Sequence, residues 1–143
     1  MRYILYCVII IIFIFLVFLF FRFRNTGDTI SPPEGLNAEL TDLSASGGVL
    51  QEENTGDDSW YHGTEYTIER KGFGGWKALP ENSEINLAWP DLLYYINPGE
   101  HKTEQLNWEY RYGKLEAGSY RLLREVWQED KLRKQLVVYF EIP

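Results

Sequence analysis

From Thr103 to Tyr112 the chain reads TEQLNWEYRY, in which Leu106, Trp108, Tyr110 and Tyr112 alternate with Gln105, Asn107, Glu109 and Arg111. A period of two with one polar face belongs to a strand that is buried on one side only. The pattern recurs downstream. Tyr120, Leu122 and Val126 fall on one face of SYRLLREVWQ, and Leu136, Val138, Phe140 and Ile142 on one face of LRKQLVVYFEI. These runs predict an all-β sandwich of about seven antiparallel strands over residues 36–143. No amphipathic helix of useful length, internal repeat or low-complexity tract competes with that reading.

Shorter runs separated by turn residues fill the first half of the domain, the spacing of a sandwich or barrel. Leu36, Ala38 and Leu40 point inward in LNAELTDL. A second strand is predicted in GGVLQEENTG, where Gln51, Glu52 and Glu53 stand at positions that apolar residues would serve better. Trp60–Lys71 reads as one strand with Tyr66 and Ile68 on one face and Glu65, Thr67 and Glu69 on the other. Gly72–Pro80 reads as a glycine turn and a short strand, Pro90–Glu100 as a strand closed by an Asn-Pro-Gly turn, and Gln128–Lys131 as a hairpin loop.

Ahead of the domain, Tyr3–Phe21 is an unbroken apolar run without charge, glycine or proline. Such a run is long enough to cross a bilayer core as a helix. The bulky FLFFRFRNTG that follows offers no small-residue cleavage site, so a retained single-pass signal anchor is expected rather than a signal peptide. The expected division is an anchor with its flanks over 1–24, a Gly-, Ser- and Pro-bearing linker over 25–35, and the sandwich over 36–143. Arg2 stands on one side of the run and Arg22 and Arg24 on the other, so the charge rule for orientation is nearly balanced. The two-residue N-terminal tail favours the cell membrane with the C-terminal domain outside.

Setting those three arginines aside, eleven cations face twenty-one carboxylates, a balance of −10. That acidity gives no footprint for nucleic acid. The single cysteine, Cys7, lies in the apolar run, so neither a disulfide within the chain nor a thiolate metal site is available. His62 and His101 lack metal-ligand spacing and read as surface histidines. Asp57 and Asp58 lack the spacing of a calcium loop. No nucleophile–base constellation or phosphate loop is present. No cofactor, no metal and no enzyme activity are expected.

Leu115, Gly118 and Tyr120 form an L-x-x-G-x-Y pattern at the mouth of the penultimate strand. A tyrosine at that corner of an immunoglobulin-like sandwich bonds through its hydroxyl to backbone a few residues upstream. Together with the opening Gly-Leu strand, an E-x-x-x-x-G-x-W hairpin (Glu69–Trp76) and a W-x-x-x-Y-G-x-L-x-x-G-x-Y-R block (Trp108–Arg121), this pattern resembles a family of bacterial immunoglobulin-like domains. That family occurs in small membrane-anchored or lipoprotein extracytoplasmic proteins of Gram-positive bacteria. The resemblance implies a module without a catalytic site.

Aromatic residues are the one surplus, at 16% of the chain. Trp60, Tyr61, Trp76, Trp89 and Tyr94 are not all accounted for by alternation and are the candidate binding residues, together with Tyr95 as the possible outward member of a Tyr-Tyr pair. The expected function is a membrane-anchored, non-enzymatic binding or structural module of the cell envelope, with a protein or cell-wall polysaccharide as partner. The alternatives are a protease-inhibitor-like regulator, using Leu79–Ile85 as an extended loop, and a wall-carbohydrate-binding module built on coplanar tryptophans.

Overall fold

A computed structural model describes residues 32–84, 88–129 and 133–143. The apolar run Tyr3–Phe21 and residues 25–31 of the linker lie outside these residues, as do part of the Leu79–Ile85 loop and part of the Gln128–Lys131 loop. Among the described residues no helix is long and apolar enough to cross a membrane.

Among the described residues nine strands follow in chain order: β1 (Leu36–Thr41), β2 (Gly47–Asn54), β3 (Trp60–His62), β4 (Thr67–Gly72), β5 (Gly75–Ala78), β6 (Tyr94–Ile96), β7 (His101–Asn107), β8 (Gly118–Trp127) and β9 (Lys134–Ile142). A helical turn, α1 (Glu109–Tyr112), stands between β7 and β8. All pairings are antiparallel. The smaller sheet has the order β1-β2-β7, and the larger is β5-β4-β8-β3-β6 with β9 on the other side of β8.

The core forms between the inward faces of the two sheets. Leu36, Leu50 and Leu106 of the smaller sheet meet Trp60, Ile68, Ile96, Tyr120, Leu122, Val126, Leu136, Val138, Phe140 and Ile142 of the larger one. Each of these inward sets follows the period of two, because successive side chains of a strand point to opposite faces. Phe140 joins the aromatic centre, with its ring 5.4 Å from Trp108 and 5.5 Å from Tyr120.

Two features depart from the period-two reading. The predicted strand Trp60–Lys71 is two strands, β3 and β4, lying end to end along one edge of β8. His62 pairs with Val126 and Thr67 with Leu123. Four residues, Gly63–Tyr66, therefore oppose only Arg124 and Glu125, and the two surplus residues bulge out of the ladder. The bulge is held from outside by the Thr64 hydroxyl, which donates to Pro90 O at 2.8 Å. The second departure ends β7 at Asn107 instead of Tyr112. The chain must leave the smaller sheet there to begin β8 in the larger one, and α1 makes the passage. Tyr112 N–H donates to Trp108 O at 2.8 Å, and Gly113 closes the turn at φ 77°. Trp108 stays fully buried, whereas Tyr110 is exposed and Tyr112 half-buried. The predicted strand Pro90–Glu100 is also shorter, three residues of β6, followed by the turn that Gly99 permits at φ 75°.

The strand directions define two poles. Gly35 O accepts from Thr55 N–H at 2.7 Å, and Glu34, Gly35, Asp57, Asp58 and Lys134 share one cleft where the chain enters the domain. β8 runs away from the opposite pole, where Gly118 pairs with Ile142 and the β4–β5 turn projects beyond Arg70, the partner of Tyr120.

Candidate functional site

The corner residues sit at this distal pole. Leu115 and Tyr120 are buried. The Tyr120 hydroxyl donates to Glu116 O, four residues upstream, at 2.7 Å. Burial raises the pKa of this phenol, opposed by the Arg70 cation. Arg70 bonds Glu116 Oε2 at 2.8 Å and Ala117 O at 3.1 Å, tying β4 to the loop that enters β8.

Arg70 opens the β4–β5 hairpin, whose turn is the most exposed apolar feature of the domain. Gly72 pairs with Gly75, and Gly75 takes a φ of 103°, which an L side chain adopts only with strain. Phe73 at the turn is 100% exposed. On the same hairpin Trp76 lies against Tyr139 of β9, with ring centroids 5.6 Å apart and planes inclined by 57°. Arg121 stands 5.0 Å and Lys71 5.9 Å from the centre of the Trp76 ring. Arg121 is fixed by Glu69 at 2.5 Å. Burial would lower its pKa, but its bonds to Glu69 and Tyr139 outweigh that and hold it above the ordinary value. Lys71, Trp76, Ser119, Tyr139 and Glu141 line a shallow groove of about 240 Å³ on the outer face of the larger sheet.

The other candidate aromatics are placed differently. Trp60 is 1% exposed and belongs to the core. Tyr94 stacks on His62 at 5.3 Å. Trp89 packs edge-on to Tyr66 at 5.0 Å, and the Arg111 guanidinium lies 3.6 Å from its centroid. Tyr61 meets Tyr95 at 5.3 Å on the outer face near the entry pole, where Trp127 pairs with Tyr61. The Arg111 guanidinium thus lies over one face of Trp89, and Tyr139 and Arg121 contact Trp76. The exposed residues Glu81–Glu84 are tied to the domain through Glu81–Arg111 at 2.8 Å and Asn82 N–H to Arg111 O at 2.7 Å.

Sequence reasoning missed a polar cluster inside the sandwich. His62, read as a surface residue, is 1% exposed. Its inward position follows from the register of β3, which alternates Trp60 and His62 toward the core. Glu52 is 2% and Arg124 1% exposed. His62 Nε2 lies 3.3 Å from Glu52 Oε2, and Arg124 Nη1 lies 2.7 Å from Glu104 Oε2 and 3.9 Å from Glu52 Oε1. The carboxylate in β2 that looked misplaced among core positions faces a histidine and an arginine from the opposite sheet. The one legible signal was parity: Glu52 follows Gly48 and Leu50 on the inward face, as Arg124 follows Tyr120 and Leu122. Asn54, wholly buried, was missed for the same reason. Its amide donates to Asp58 O and Ile96 O at 2.9 and 2.8 Å, and its Oδ1 accepts from Gly56 N–H at 3.0 Å.

The outer face of the smaller sheet is polar. Asn37, Glu39, Gln51, Glu53, His101 and Thr103 face outward from the smaller sheet, with His101 Nε2 3.5 Å from Glu53 Oε1. Among the described residues no group of three or more histidine, cysteine, aspartate or glutamate side chains could hold a metal ion.

Comparison with curated proteins finds no match to the chain. The family model for the bacterial Ig-like domain matches residues 36–138, which span β1 to the middle of β9. With two antiparallel sheets packed over one core and the tyrosine corner at the start of β8, the chain belongs to the bacterial Ig-like domain family.

Proposed function

We propose that this protein is a non-enzymatic binding module of the cell envelope, tethered by Tyr3–Phe21 and receiving a protein partner at the pole of the domain where Gly118 pairs with Ile142. The family supports the coarser part of this reading, a structural or binding module. The observation that carries the finer part is Phe73. A fully exposed phenylalanine at a hairpin tip contributes nothing to the core, and its apolar surface is freed from water only by a partner. Tyr139, 63% exposed, and the half-buried Trp76 extend that surface, with lysine and arginine close by. Aromatic residues beside arginine are the composition of protein-binding hot spots. The inclination of Trp76 to Tyr139 favours a protein over the flat face of a sugar chain.

Two experiments test the proposal. Protease added to intact spheroplasts carrying a C-terminally tagged chain should digest the tag; a tag that survives until lysis places the domain inside and ends the envelope reading. The full-length protein in detergent is then compared with the Phe73→Ser/Tyr139→Ser double variant for capture of envelope proteins and of purified wall. Loss of protein capture by the folded protein, assayed well below the unfolding midpoint of either form, is the expected result. Equal protein capture by both forms, or capture of wall alone, would overturn it.

A further inference from the structure

The charge of this acidic chain is unevenly spread. From Arg70 to Pro80 it holds three cations, Arg70, Lys71 and Lys77, and no carboxylate. Two of them stand directly opposite each other, because Arg70 of β4 pairs with Lys77 of β5. Like charges across a ladder repel and weaken the hairpin that carries them. Glu116 Oε2 meets the Arg70 charge at 2.8 Å. Lys71 and Lys77 are exposed, and neither has a carboxylate partner among the described residues.

The two lysines flank the apolar surface of the hairpin. Lys71 pairs with Trp76 across the ladder, with its Nζ 5.9 Å from the ring centre, and the wholly exposed Phe73 lies at the turn between them. Lys77 stands on the other face, beside Arg70. The carboxylates nearby are engaged elsewhere. Glu69 holds Arg121, Glu116 holds Arg70, and Glu141 accepts from Ser119 Oγ at 2.7 Å. A hairpin that keeps unneutralised lysines on both of its faces, at a cost to its own ladder, attracts negative charge.

We infer that the β4–β5 hairpin receives an acidic segment of a partner protein, whose carboxylates meet Lys71 and Lys77 while an apolar side chain covers Phe73 and the Trp76 ring. The inference rests on the reading of this pole as the binding face and adds the chemistry of what it binds. Charge complementarity selects the occupant. A polyanion of the wall would need cations alone and would leave Phe73 in water. The two arginines best shaped to clamp phosphate, Arg70 and Arg121, are already taken up by Glu116 and Glu69. A second copy of the chain is opposed by the net charge of −7 that each copy carries.

The test passes the full-length protein, in nonionic detergent, over an immobilised glutamate–tyrosine copolymer, polyglutamate, inorganic polyphosphate and a lysine–tyrosine copolymer. The glutamate–tyrosine copolymer should bind tightest. Its binding should weaken about tenfold or more in Lys71→Glu/Lys77→Glu, and also when salt is raised from about 50 mM to about 500 mM. Lys77→Glu alone sets opposite charges across the ladder, so it should unfold at no lower a temperature than the parent. All binding is read well below the unfolding midpoints.

Equal or tighter binding of polyglutamate or polyphosphate would make the pole a general polyanion site, and equal binding of the lysine–tyrosine copolymer would make it an apolar site alone. Either overturns the inference, as do binding to none of the four, binding indifferent to the charge reversal, and self-association of the protein that the reversal abolishes. Capture of envelope proteins separates this inference from the reading beneath it. Capture lost in Phe73→Ser/Tyr139→Ser but kept in Lys71→Glu/Lys77→Glu ends the acidic partner and leaves the binding pole; capture kept in both variants ends both.

Discussion

Arg124 of β8 reaches across the sandwich to Glu104 of β7, and the 2.7 Å contact joins the larger sheet to the smaller through the core rather than around its rim. The guanidinium is fully buried, and Glu52 stands 3.9 Å away on its other side. Removing one member of such a pair leaves an uncompensated buried charge. Arg124→Leu should therefore destabilise the domain by about 3–5 kcal/mol. Replacing all three groups, as Arg124→Leu/Glu52→Leu/Glu104→Gln, should recover most of that loss, because the desolvation cost disappears with the charges. Urea unfolding of the single and triple variants checks both statements, and a triple variant no better than the single would contradict the account.

At the distal corner the Tyr120 ring is held by packing and its hydroxyl by one bond to Glu116 O. Tyr120→Phe keeps the ring and deletes the bond, so a loss of about 1 kcal/mol is expected. Capture of a partner by the folded fraction should be unchanged, which a binding assay at a temperature well below the unfolding midpoint will show. Reduced capture at that temperature would give Tyr120 a place in the binding surface.

Two glycines separate close packing from mere turn composition. A Cβ on Gly47 would lie 2.3 Å from Leu106 O, a backbone atom of the neighbouring strand β7. Gly47→Ala should cost about 2 kcal/mol or more, because β2 and β7 must part to admit it. A Cβ on Gly74 would meet nothing within 4 Å, and its φ is not positive. Gly74→Ala should leave the midpoint of thermal unfolding within a degree or so of the parent.

Tyr66 and Tyr112 set the alkaline limit of the fold. Burial pushes both phenols up to about 12; Arg124 opposes the shift at Tyr66, and Glu81 adds to it at Tyr112. The unfolded chain releases these protons near the ordinary value of 10. Stability that is complete below pH 10 is therefore lost as the pH rises through about 12. Absorbance at 295 nm should show a late ionisation step that coincides with unfolding, and Tyr66→Phe and Tyr112→Phe should each diminish it. Ionisation of every tyrosine before the far-ultraviolet signal changes would contradict this.

The sequence by itself determined the strands whose two faces differ in polarity. Leu136, Val138, Phe140 and Ile142 could lie only on the inward face of β9, because a slip of one residue would expose all four to water. The alternation around Tyr120 located β8 in the same way, and Leu115, Gly118 and Tyr120 marked its entry. Local pattern carries no information about what stands opposite, so the rest was decided in three dimensions. The break between β3 and β4 depends on the length of β8 beside them, and the end of β7 on the need to cross to the other sheet. His62 looked like a surface residue and Glu52 like a misplaced one, and Arg124 drew no reading, because the partners that make their burial tolerable come from strands far away in the chain. Phe73 was overlooked for the opposite reason: its exposure follows from the projection of the β4–β5 turn beyond the sheet, which only the assembled sandwich defines.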